Sequence, residues 1–89
     1  MSDDRSTSKP IDRALAKVLF GAYKAERMSQ ATLVQKTGIK PATMQRLMAG
    51  KAGFTADQLF DIADAIGGPR TAADYLREAE ELLKTGNGY

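Results

Sequence analysis

The chain contains no cysteine, no histidine and no tryptophan. Without cysteine there is no disulfide framework, no thiolate nucleophile and no sulfur-ligated zinc. Without histidine, the commonest acid–base catalyst and metal ligand are missing too. Long apolar runs are also absent. The longest, residues 18–23, falls far short of the roughly 20 residues that cross a bilayer. No stretch alternates with period two, so no strand is expected. Residues 1–10 are polar and carry Asp3, Asp4 and Arg5, which is not the pattern of a secretory signal; a cytoplasmic protein without membrane contact is expected. With 89 residues, the chain is expected to form one small domain held by an apolar core alone.

Charge is present, but unevenly spread. The net value is +2. Residues 1–54 hold ten Lys/Arg against four acids, a net of +6, while residues 55–89 hold three against seven, a net of −4. A basic front half suits a polyanionic partner. An unevenly charged solvated surface is the alternative.

Five helices are predicted. Residues 1–9 have no apolar anchor and read as a flexible arm. Pro10 suits a first helical position. From it, Ile11, Leu15, Val18, Leu19 and Ala22 keep helical spacing to about Arg27. Ser29 can cap a second helix over residues 30–37, with Met28 and Leu33 as a hydrophobic staple, and Gly38 can end it in the left-handed conformation. Pro41 opens a third helix, about 41–49, that stops at Gly50. Thr55 and Gln58 form a capping box for the fourth, with Phe54 and Leu59 as a second staple and Leu59, Ile62, Ala63 and Ile66 facing inward. Gly67, Gly68 and Pro69 end it. Thr71 caps the fifth, about 72–84, with Asp74 at N3; residues 85–89 read as a flexible tail. Phe20, Phe54, Leu59, Phe60 and Ile62 are expected in the core, and Asp57, Asp61 and Asp64 on a solvated helix face rather than in a catalytic site.

Two short helices joined by a three-residue turn containing glycine make a helix-turn-helix, whose second helix enters the DNA major groove. Many helical proteins have tight corners, so the residues at them matter. Ser29-Gln30, Leu33, Gly38, Thr43-Met44, Arg46-Leu47 and Gly50-Lys51 stand in an order and register that resembles the helix-turn-helix of the lambda-repressor-like, Cro and Xre group. The resemblance extends over residues 11–68. It implies an all-α, five-helix lambda-repressor-like domain that binds double-stranded operator DNA as a phage or bacterial transcription regulator. A repressor acting by promoter occlusion is expected, with no cofactor, metal or catalytic group. An antitoxin of the same fold, bound to a toxin, is a close variant. A helical protein-interaction module that has lost DNA binding is the alternative from another class.

Candidate contacts follow from physics and from the resemblance together. On the third helix, Met44 and Leu47 lie at i, i+3 and face the core, leaving Lys40, Pro41, Ala42, Gln45, Arg46 and Ala49 outward. Arg46 is the leading base contact, since its fork fits guanine O6 and N7; a phosphate contact or salt bridge is its other use. Gln45 suits adenine, and Pro41 with Ala42 suits a thymine methyl. Lys40 joins them as a base-contacting candidate. Gln30 is similar in position to the group's phosphate-binding glutamine, at a helix N-terminus that favours anions. Thr43 offers a hydroxyl, and Lys51 with Thr55 resembles a second phosphate clamp. Lys24, Arg27 and Lys36 add long-range attraction or a solvated face, and Arg5 and Lys9 can reach a groove from the arm. Four positions depart from the group: Val34 for a preferred Ala, Thr32 for a common acid, Met48 for a frequent Glu, and Pro41 for Gln or another base-reading residue. Proline donates no hydrogen bond, so readout has to shift to its neighbours. The resemblance also implies a homodimer, with Tyr75, Leu76, Ala79 and Leu83 of the fifth helix at the twofold contact, because one short helix reads too few base pairs.

Overall fold

In the computed structural model, residues 8–85 are described. Most of the expected arm, with Arg5, and the expected tail beyond Thr85 lie outside the described residues. Five helices follow in chain order: α1 (Pro10–Ala25), α2 (Gln30–Thr37), α3 (Pro41–Met48), α4 (Ala56–Ile66) and α5 (Ala72–Thr85). No strand occurs among the described residues.

Local chemistry sets each boundary. The Ser29 hydroxyl accepts from the Thr32 amide at 3.1 Å, and Gly38 ends α2 at φ +77°. The Thr55–Gln58 capping box closes reciprocally at 3.0 and 3.1 Å. Thr71 and Asp74 do the same at α5, where the Thr71 amide donates to the Asp74 carboxylate at 2.8 Å. One end differs from expectation: α1 stops at Ala25, two residues before Arg27, because Arg27 turns left-handed at φ +62°. The Arg27 and Met28 amides then bond back to the carbonyls of Lys24 and Tyr23 at 2.9 Å each. That is a Schellman closure with arginine where glycine is usual. The same pattern ends α3, with Gly50 at φ +75° and the Lys51 amide on the Arg46 carbonyl.

The core is one cluster fed by every helix: Leu15, Leu19 and Tyr23 of α1, Leu33 of α2, Met44 and Leu47 of α3, Ile62 and Ile66 of α4, Tyr75 and Ala79 of α5. Helix α1 is the spine, packed on α3, α4 and most extensively α5, while α2 packs on α3 and α4. Helix α5 touches neither α2 nor α3. The helix-turn-helix and α5 are therefore joined only through α1 and α4.

Two aromatic residues expected in the core are at the surface. Phe20 is 47% and Phe60 62% exposed. Each follows a residue that takes the inward position, Leu19 or Leu59, and the roughly 100° step of a helix turns it away. Phe20 lies edge-on to Tyr23, with the Lys24 ammonium over its face. Phe54 and Leu59 are half-buried, and Ile62 is fully buried. On α5 the inward stripe is Ala72, Tyr75 and Ala79. Tyr75 and Ala79, expected at a twofold contact, are thus consumed by the monomer's own core at 1% and 0% exposure. Leu83 is half-buried, and Leu76 alone of those four stays exposed.

Candidate nucleic-acid interface

Helix α3 lies across the core on Met44 and Leu47, both fully buried. That anchoring turns Lys40, Pro41, Ala42, Gln45, Arg46 and Ala49 outward, and all six are exposed. Thr43 and Met48 are half-buried at the edges of the face. The side chains of Lys40, Gln45, Arg46 and Lys51 make no hydrogen bond or ion pair among the described residues. By contrast, the three cations of the acidic half are all paired: Arg70 with Glu78 at 2.6 Å, Arg77 with Asp74 at 3.3 Å and Lys84 with Glu81 at 3.7 Å. The helix-turn-helix therefore keeps its positive charge available, whereas the cations of α5 and of the turn before it are paired with acids of α5.

Three helix N-termini differ in what they offer an anion. Neither α2 nor α3 has an acid in its first turn. At α2 the Ser29 cap occupies the Thr32 amide, leaving the amides of half-buried Gln30 and exposed Ala31 for an outside acceptor. Helix α4 carries Asp57 in its first turn, and the Thr55 amide is already given to Gln58. An anion is thus better placed at α2 than at the expected clamp of Thr55, whose hydroxyl hydrogen remains its main donor.

The loop between α3 and α4 is tied down by residues that sequence reasoning did not single out. Asp12, in the first turn of α1, accepts from the Lys9 amide at 2.9 Å and, across 42 residues, from the Phe54 amide at 3.1 Å. The Ser8 hydroxyl donates to the Gly50 carbonyl at 2.6 Å. A Cβ on Gly50 would stand 3.2 Å from Arg13 Cγ, so the start of α1 closes directly over the end of α3. An acid at N3 is a local capping signal that could have marked Asp12; its reach to Phe54 is a tertiary contact with no local signal. Lys51 extends from this fixed loop, exposed. Of the cations assigned to long-range attraction, Lys24 and Arg27 are exposed, and the Lys36 ammonium donates to the Ala65 carbonyl at 3.4 Å.

Among the described residues, no group of three or more potential ligands is placed to hold a metal ion, and no helix is long and apolar enough to cross a membrane. A family model described as the Cro/C1-type HTH DNA-binding domain matches residues 23–67. The chain belongs to the Cro/C1-type helix-turn-helix family. Its matched segment runs from the last turn of α1 to the glycine that ends α4 and contains the whole outward face of α3. Most of α1 and all of α5 lie outside the Cro/C1-type match. No curated protein and no solved structure matches the chain.

Proposed function

We propose that this Cro/C1-type domain is a sequence-specific transcription regulator that represses by occupying a promoter. The supporting observation is the outward face of α3, where Lys40, Gln45 and Arg46 are exposed and without partners inside the chain. In this reading α3 enters the major groove, with Arg46 on guanine and Gln45 on adenine. Lys40, Pro41 and Ala42 approach the bases from the start of the helix. Gln30, Thr43, Lys51 and Thr55 hold phosphates around it, with the α2 N-terminus as the strongest anion site. Repression by occlusion needs bound mass and no catalytic group. The protein would act on DNA in a bacterial cytoplasm, as a homodimer whose contact includes Leu76.

A fluorescence titration on duplex DNA at increasing salt tests the proposal. If about six phosphates are neutralised, log K falls against log salt with a slope of roughly −5. Weak binding that ignores salt would reject it. Phe60, 62% exposed beside a groove between α4 and the start of α5, supports a second reading in which that side holds a protein partner, as an antitoxin holds its toxin. A flat salt response would leave this second reading standing alone.

A further inference from the structure

We infer that the cleft between α2 and the start of α3 reads the C5-methyl group of thymine, an inference that rests on the DNA-binding reading above. The cleft is an open groove of about 400 Å³, lined by Gln30, Ala31, Val34 and Gln35 of α2 and by Pro41 of α3. Ala31 and Pro41 are exposed and Val34 is half-buried. Exposed Ala42 follows directly along α3. Pro41 has no N–H, and Ala31 and Val34 have no polar side-chain atom. The centre of the cleft is therefore apolar, with the two glutamine amides as its polar lining.

This apolar surface stands at the front of a face whose charged and amide groups are Lys40, Gln45 and Arg46. Among the base edges in the major groove, the thymine methyl is the one apolar group; the other positions present donors or acceptors. An amino or carbonyl edge pressed against Pro41 and Val34 would lose its water and gain no partner, which is unfavourable. A methyl group there gains contact and leaves nothing unpaired. Val34, bulkier than the alanine preferred at its position, deepens the apolar wall, so two departures from the family pattern, Val34 and Pro41, act on one base edge. The cleft supplies selectivity for thymine by contact and against other edges by exclusion, beside the hydrogen-bonding readout assigned to Gln45 and Arg46.

The test uses a duplex selected for binding from a random pool, with single thymines replaced by deoxyuridine, which pairs alike and lacks only the methyl. At one thymine in the bound site, affinity is expected to fall roughly fourfold, the factor for losing one methyl-sized apolar contact, with little change at the others. Pro41→Ser and Val34→Ser, which each remove the apolar carbons beyond Cβ, should bind the thymine and uracil duplexes more nearly alike. If uracil is tolerated everywhere, or the selected site holds no thymine, the methyl reading is overturned while DNA binding stands. If the penalty persists unchanged in both variants, another residue reads the methyl and the assignment to the cleft is overturned. If no duplex binds, the DNA-binding reading fails and this one with it.

Discussion

Arg46 stands in the last turn of α3, exposed and unpaired, with the buried Leu47 beside it holding the helix in place. If its guanidinium grips guanine, Arg46→Ala should cost roughly 1–3 kcal/mol on the preferred duplex and relax selectivity at one base pair. Binding assays on matched and mismatched duplexes check this; equal losses on every sequence would make it a phosphate contact. A second residue, Arg27, tests the backbone alone. At φ +62° its Cβ crowds the following carbonyl, a strain of about 1–2 kcal/mol that glycine does not have, partly offset by the greater freedom of glycine when unfolded. Arg27→Gly should therefore raise the thermal midpoint by a few degrees, read by circular dichroism. The outward set on α3 was legible in the sequence because Met44 and Leu47 fix the helix's rotation by spacing alone. The left-handed arginine was not legible, since nothing local distinguishes it from a residue continuing α1.

At the scale of elements, the caps were legible and the cross-links were not. Serine, threonine and glycine signals are local, and Ser29, Gly38, Thr55 and Thr71 act where their neighbours place them. Asp12 and Ser8 join segments 42 residues apart, a distance over which pattern carries no information. Phe20 and Phe60 were misread for a related reason: an apolar side chain next to an inward one takes the core only if another element covers it. Asp12 caps the start of α1 through the Lys9 amide and holds the α3–α4 loop against it through the Phe54 amide, so Asp12→Ala should destabilise the fold by roughly 2 kcal/mol in urea titrations, with Asp12→Asn milder. A loss within experimental error would mean the loop holds its place without Asp12. Asp74 adds a pH term. The Thr71 amide hydrogen bond, then the Thr71 hydroxyl and Arg77, hold its carboxyl below the ordinary 3.8. Its contribution is therefore fully present above that value and disappears as pH falls through the lower folded value. Asp74→Asn should lose less stability than the wild-type protein between pH 5 and pH 2, a window set by ordinary and shifted aspartate values of about 4 and below. Parallel losses in the two proteins would contradict this role.

At the scale of the molecule, the reach of α3 decides what must assemble. Its 8 residues span about 12 Å, or three to four base pairs at 3.4 Å each, too few to select one site in a genome. The proposed regulator would therefore act as two copies, and the fold permits them: α5 touches neither α2 nor α3, so a contact through exposed Leu76 would leave α3 of each copy free. The acidic charge on α5 is partly neutralised by its own Arg77 and Lys84 and by Arg70 just before it, which lowers the repulsion between two such faces. The molecule measures 36 × 30 × 18 Å, comparable to the roughly 34–36 Å that separates half-sites on one face of DNA. A selected operator should accordingly contain two half-sites centred about 10 base pairs apart. Inserting five base pairs between them turns the second half-site to the far side of the duplex. Affinity should then fall to that of a single half-site, whereas a protein acting as a monomer would bind both duplexes equally. Leu76→Asp separates the contact from the spacing. By light scattering it should be a monomer, and its binding should be weak and indifferent to the insertion. A variant that stayed dimeric and sensitive to spacing would move the twofold contact off α5.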